Sequence, residues 1–266
     1  MRVSLPMYPL DDRASHTYWC WLRDRLVSAG LGQEHELPLQ LAAPGDYFSH
    51  WQQPDLLLSQ TCGYPLVTLL QGQVQLVGVF HYHVAGCEHG DYHSDIVVRH
   101  DDSRQTLAQF RGTRVACNEP HSQSGYHALR TTIAPLSDGT PFFSQLRFSG
   151  SHHASARQVA AGEADIAALD CVSAALLRQR DPATFSRLRL LQRTAPTPGL
   201  PLITSQRTAP AQLAALQGLL ADSMQEPTLA AALATMGILG FSRRQLADYQ
   251  CIRQQAERHA GIVLAA

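Results

Sequence analysis

Three segments of the chain carry side chains and turns suited to gripping a small anion. The first is Asn118-Glu119-Pro120-His121-Ser122-Gln123-Ser124-Gly125-Tyr126, set between a short apolar run and an amphipathic stretch. Serines and a glycine at a helix start leave backbone N–H groups without intrahelical acceptors. Those groups lie at the positive end of the helix dipole, where an oxyanion is favoured. The hydroxyls of Ser122 and Ser124 can turn to donate to the same guest. An ordinary serine N-cap has the same composition. The second segment, Phe148-Ser149-Gly150-Ser151-His152-His153-Ala154-Ser155, repeats this strand–turn–helix pattern with an imidazole beside it. His152 can donate to a phosphoryl oxygen whether neutral or charged, while Ser151 can serve as a simple cap. The third ends at Asp170, after a strand expected over residues 166–169. A carboxylate there lies where open α/β sheets bind ligands and can accept from an amine or a protonated oxygen. Capping the next helix is its structural alternative.

Weaker candidates surround these. Thr61 and Tyr64 lie in Ser59-Gln60-Thr61-Cys62-Gly63-Tyr64-Pro65, and Tyr8 and Tyr92 are possible cleft neighbours. A histidine-rich stretch holds His81, His83, Cys87, His89 and His93. Its first two imidazoles share a strand face, but no second cluster completes a tetrahedral site, so no metal is expected. There is no GxSxG elbow and no HExxH, and Gly30-Leu31-Gly32 lacks the third glycine of a dinucleotide loop. No catalytic residue is expected.

Composition narrows the classes further. All 21 basic residues among 266 are arginine. Without lysine, neither a Walker phosphate loop nor a pyridoxal Schiff base can form. The formal net charge of −1 gives no basic field for nucleic acid, so any anion site must be built locally. None of the six cysteines makes a CxxC pair; buried free thiols are the default, and a Cys62–Cys87 bridge stays open as an alternative. The first ten residues lack the apolar core of a secretory signal, and no window approaches a membrane span. The expectation is a cytoplasmic protein, or a periplasmic one if an export signal is missing from the sequence as given.

The elements that must position these residues alternate. Strands are expected over residues 2–7, 55–59, 74–80 and 95–99, with a helix over 11–29 and a short one from Tyr64. The alternation restarts with strands over 114–117, 145–148 and 166–169, each leading into a helix. Residues 195–201 are Pro-rich and read as a crossing; the tail from Pro210 reads as helical. The whole indicates an α/β fold of mixed sheets flanked by helices. Two lobes are expected, residues 1–97 with 195–266 and residues 98–194, with two crossings as a hinge.

The motifs MYPL, DLLLSQTCGYPLV, RVACN…SQSGYHALR, GSHHAS and GEADIAALDCV stand in this order over residues 1–205. In them the chain resembles the phosphate/phosphonate substrate-binding proteins of ABC transporters, the PhnD-like branch of type 2 periplasmic binding proteins. The resemblance implies two α/β lobes closing over a ligand. Its S-x-S-G-Y segment, matched by Ser122, Ser124, Gly125 and Tyr126, would grip the phosphonyl group. His152 and Asp170 match its ligand-facing histidine and its amine-contacting acid, and Tyr64 and Tyr92 its cleft tyrosines. Tyr8, Thr61, Gln123 and Ser151 complete the expected binding set. Gln123 departs from the small hydroxylic residue usual at its place, which reshapes the pocket. The expected function is non-catalytic binding of a small anionic, phosphonate- or phosphate-like ligand by a monomer without a cofactor, with an ABC transporter permease as partner. The alternatives are a cytosolic ligand sensor and an enzyme on the same fold, as in thiamin pyrimidine synthesis.

Overall fold

The computed structural model describes residues 1–41 and 43–265. The chain forms two compact units: Met1–Asp91 with Pro198–Tyr249, and Tyr92–Thr197 with the C-terminal residues from Gln250 on.

The first unit is built on a five-stranded mixed sheet in the order Arg2–Val3, Leu56–Gln60, Pro201–Ser205, Val74–Tyr82, Ile238–Ser242. Arg2–Val3 pairs parallel to Leu56–Gln60, and the remaining pairs are antiparallel. Every residue of Leu56–Gln60 is buried, which explains why it opens with three consecutive leucines rather than an alternation. The helix Asp12–Ser28 begins where Asp11 accepts a hydrogen bond from the Ala14 amide at 2.8 Å. It buries Ala14, Tyr18, Trp19, Leu22 and Leu26, a stripe at helical spacing.

Two expectations need correction here, and one strand was not foreseen. The first strand is Arg2–Val3, not residues 2–7. Pairing persists to the Ser4 amide, which donates to the Leu58 carbonyl, and Pro6 then has no N–H to offer. Past the Pro-rich passage, Pro201–Ser205, for which no element was expected, is a central strand whose proline stands first, where its missing donor is tolerated. The tail is not wholly helical: after Gly237, in a left-handed conformation at φ 69°, the chain forms the edge strand Ile238–Ser242.

The second unit has a five-stranded sheet in the order Gln145–Phe148, Arg114–Cys117, Ile166–Asp170, Ser94–Arg99, Leu188–Arg193. Both faces are covered. Val115, Cys117, Ile166, Ala168, Ile96 and Val98 face a core with Phe110, Leu129, Phe142 and Phe143. Ala116, Ala167, Leu169 and Val97 face the other side, with Ala156, Val159, Ala174 and Leu177. The period of two along each strand sorts neighbours to opposite cores. Burying each large aliphatic side chain contributes about 1.5–3 kcal/mol.

The C-terminal tail also belongs to this unit, whereas the sequence reading grouped it with the first lobe. The Phe142 and Phe143 amides donate to the Val263 and Leu264 carbonyls at 3.2 and 2.7 Å, and Leu264 is buried in the core. Nothing local in an apolar tail of this kind specifies which sheet it will cover.

Candidate functional site

The strand Arg114–Cys117 runs parallel to both Gln145–Phe148 and Ile166–Asp170 and lies between them. Their C-terminal ends therefore meet at one end of the sheet, the first two passing through a turn into a helix and the third entering its helix directly. This brings together the three segments that carry the chemistry, as expected at the carboxyl ends of parallel strands.

From the first strand the chain turns through Asn118 to Ser122 and enters a helical run. Gln123–His127 forms a π-helical turn and continues as the α-helix Ala128–Ile133. Its wide opening turn is closed by the His127 amide donating to the Ser122 carbonyl at 3.1 Å. Ser122 Oγ accepts from the Gly125 amide at 3.0 Å. The Ser124 amide lies in the first turn, where no intrahelical acceptor is within reach. Ser124's carbonyl accepts a hydrogen bond from Ser94 Oγ at 2.9 Å, which anchors the turn to the neighbouring part of the unit.

The second strand leads through Ser149 and Gly150 to the helix His152–Ala161. The Ser149 and Gly150 amides donate to the carbonyls of Cys117 and Asn118 at 2.8 and 2.9 Å, fastening this turn to the first. Gly150 sits at φ 85°, a region open to glycine. Ser151 Oγ caps the helix by accepting from the Ala154 amide at 3.1 Å. His152 then points to the first turn: its Nε2 lies 2.9 Å from Ser124 Oγ. Its Nδ1 lies 3.4 Å from the Asp170 amide. Burial holds the imidazole well below its ordinary pKa, at about 4, against the opposing effect of a hydrogen bond with the Ala168 backbone. At neutral pH the ring is uncharged.

Gly125 leaves the space that the Asn118 side chain occupies. A β-carbon there would come 1.9 Å from Asn118 Oδ1 and 3.2 Å from His152 Cε1. Asn118 Oδ1 is itself buried without a hydrogen-bond partner.

Within the second unit the structure thus joins Ser122, Gln123, Ser124, Gly125, His152 and Asp170. Gln123 and Ser124 are both buried. Asp170, 2% exposed, directs Oδ1 to the amides of Val172 and Ser173 at 2.8 and 2.9 Å, so it caps the helix Cys171–Arg180. Ser151 is likewise a cap. The Tyr126 ring packs edge-on to His127 at 5.0 Å and lies under the Arg130 guanidinium. Tyr92 is buried in this unit.

The remaining expected residues belong to the first unit. Tyr8 is buried, edge-on to Tyr82 at 5.0 Å. Thr61 is fully buried, with Oγ1 lacking a hydrogen-bond partner. Tyr64 is half-buried in the short helix Gly63–Val67. In the histidine-rich stretch, His81 Nε2 is engaged with Ser242 Oγ at 2.6 Å. All six cysteines are free thiols, so Cys62 and Cys87 are not bridged. Sequence reasoning missed Ser94 and the steric role of Asn118. Ser94 stands 30 residues from Ser124, with no motif around it.

The sequence matches the family described as ABC transporter, phosphonate, periplasmic substrate-binding protein, over residues 52–249. Comparison with curated proteins finds no match. Among solved structures, PhnD1 from Prochlorococcus marinus in complex with methylphosphonate is similar, with a TM-score of 0.77 and 14% identity over 98% of this chain and 97% of that one. The binding-protein component of an ABC phosphonate transporter from Pseudomonas aeruginosa has a TM-score of 0.73 and 16% identity, over 97% and 86% of the two chains. A Xanthomonas citri protein bound to chloride ion gives 0.73 and 20%, over 97% and 98%. These likenesses identify the two-lobed periplasmic-binding-protein fold. The family match covers most of the chain, and the chain belongs to the periplasmic substrate-binding proteins of phosphonate ABC transporters.

Proposed function

We propose that the protein binds a small phosphorus oxyanion, of the phosphonate or phosphate class, at the paired turns of its second unit. The observation that carries this reading is the convergence of Ser124 and His152 at 2.9 Å, with the first-turn amide of Ser124 beside them. The donors are a hydroxyl, a backbone amide and a neutral imidazole. Each hydrogen bond to a charged guest contributes about 1.5–3 kcal/mol, so a few of them suffice without a cationic side chain. A small anion on this site would be handed to an ABC transporter permease in the periplasm, where the family works. Among the described residues no helix is long and apolar enough to cross a membrane. The protein would act as a monomer.

One observation favours a second reading. A serine hydroxyl 2.9 Å from an imidazole is also the geometry of a nucleophile and its base. Against it, a base with a pKa of about 4 is weak near neutrality. The ring's second nitrogen also faces backbone rather than a carboxylate that would orient it. Binding without turnover is therefore the better account.

The test is a thermal-shift and calorimetry panel of methylphosphonate, aminoalkylphosphonates, phosphite, phosphate and a sulfonate. A ligand at one hundred times its dissociation constant stabilises by about 2.7 kcal/mol, or roughly 5–10 °C in melting temperature. At least one phosphorus oxyanion should produce such a shift and be recovered unchanged. No response to any of them would refute the ligand class. Release of phosphate or alcohol from a phosphate ester, abolished by Ser124→Ala, would replace it with the enzymatic reading.

A further inference from the structure

We propose that the outer face of the first helix carries a two-ligand site for a thiophilic divalent cation of the zinc class, formed by His16 and Cys20. Both residues lie on Asp12–Ser28, four positions apart, on one face of the helix. Among the six cysteines Cys20 alone is exposed, whereas a free cysteine is ordinarily among the most buried residues. The opposite face of the same helix, with Tyr18, Trp19, Leu22 and Leu26, is packed into the core of the unit, so the pair stands on a fixed support.

Cys20 Sγ lies 3.5 Å from His16 Nε2 and 4.0 Å from Nδ1, within reach of either ring nitrogen. Zinc holds thiolate at ~2.3 Å and imidazole at ~2.0–2.1 Å, and at a tetrahedral angle those bonds separate sulfur from nitrogen by about 3.5–3.6 Å. The sulfur stands beside the ring, so a turn of the exposed imidazole is needed to bring a nitrogen lone pair and the thiolate to two corners of such a site. Thiolate with imidazole is a donor set that selects zinc-like ions over magnesium or calcium. Binding releases the thiol proton to solvent, and water fills the remaining positions. The site is independent of the anion-binding turns, which lie in the other unit.

The experiment titrates the full-length reduced protein with Co2+ under anaerobic conditions and follows the near-ultraviolet thiolate-to-cobalt charge-transfer band. The band should saturate at one equivalent and be bleached by Zn2+. It should vanish in Cys20→Ser, and His16→Ala should move the midpoint to higher Co2+ by roughly tenfold or more. Both side chains are exposed, so the metal-free variants should melt with the parent, which separates loss of the site from loss of the fold. Absence of a band, a band that survives in Cys20→Ser, or a midpoint indifferent to His16→Ala would each overturn the assignment and leave the pair a simple S–H···N hydrogen bond.

Discussion

Asn118 Oδ1 fills the space in which a side chain at Gly125 would have to stand, 1.9 Å from the nearest possible β-carbon. The same residue's carbonyl accepts the Gly150 amide at 2.9 Å, so Asn118 joins the two turns while setting how closely they approach. A methyl group at position 125 meets the far end of the Asn118 side chain, so the Asn118 amide must swing out of the turn to admit it. Gly125→Ala should cost about 1–3 kcal/mol of stability and abolish anion binding. Combining it with Asn118→Gly should recover part of the stability. Urea denaturation of the three variants checks this; a Gly125→Ala protein as stable as the parent would contradict the steric account.

Ser124 and His152 meet across 28 residues of sequence, and their side chains should act on a ligand as a unit. Ser124→Ala and His152→Ala are each expected to weaken binding of the phosphorus oxyanion by roughly 10–100-fold, the equivalent of one hydrogen bond to a charged group. The double variant should lose less than the sum, with a coupling of about 0.5 kcal/mol or more. Strictly additive losses measured by calorimetry would mean that the two residues contact the ligand separately.

Two imidazoles whose charged forms are disfavoured by desolvation, His152 and His127, dictate a pH dependence. Burial lowers His152 to about 4, and burial followed by Arg130 lowers His127 to about 3. In the unfolded chain both take up a proton near pH 6.5, so between that value and pH 4 the unfolded state binds more protons than the native one. Stability therefore falls on acidification through this window, by at most about 1.4 kcal/mol per pH unit for each group. Carboxylates add their own loss lower down, since hydrogen bonds and charge from Arg104 hold Asp102 at about 2. His127→Gln should reduce the slope between pH 6 and 4.5 in denaturant titrations. Because His152 is already neutral, ligand affinity should follow the ionisation of the ligand alone from pH 5.5 to 8. A loss of affinity centred near pH 6.5 with a fully ionised sulfonate or phosphonate monoester would show that a charged imidazole binds it.

The unequal success of the sequence reading has a physical pattern. The Arg114–Cys117, Gln145–Phe148 and Ile166–Asp170 strands were legible because a short strand-forming run that ends at turn or helix-capping residues (Asn118, Ser149-Gly150, Asp170) is a local signal. Their convergence was legible only through the rule that parallel strands place their C-terminal ends together. The Pro201–Ser205 and Ile238–Ser242 strands were not read, because five residues between prolines or after a helix carry too little periodicity to outweigh their surroundings. Docking of Val263 and Leu264 onto Phe142 and Phe143 is a long-range choice made by packing, invisible to any window. Ser94 escaped for the same reason: its role arises from register with a distant strand, since it pairs with Asp170 across the sheet.

Asp170 separates two roles that the sequence left together. Its Oδ1 accepts from the Val172 and Ser173 amides, so it holds the start of the helix Cys171–Arg180. Asp170→Ala should cost about 0.5–2 kcal/mol, the usual loss of an N-cap, while Asp170→Ser keeps a capping oxygen and most of the stability. Serine cannot supply the negative charge that an amine on the ligand would need. If the carboxylate also reads such an amine, Asp170→Ser will lower affinity for an aminoalkylphosphonate while leaving methylphosphonate unchanged. An equal effect on both ligands in parallel calorimetry would confine Asp170 to the cap and remove it from the binding set.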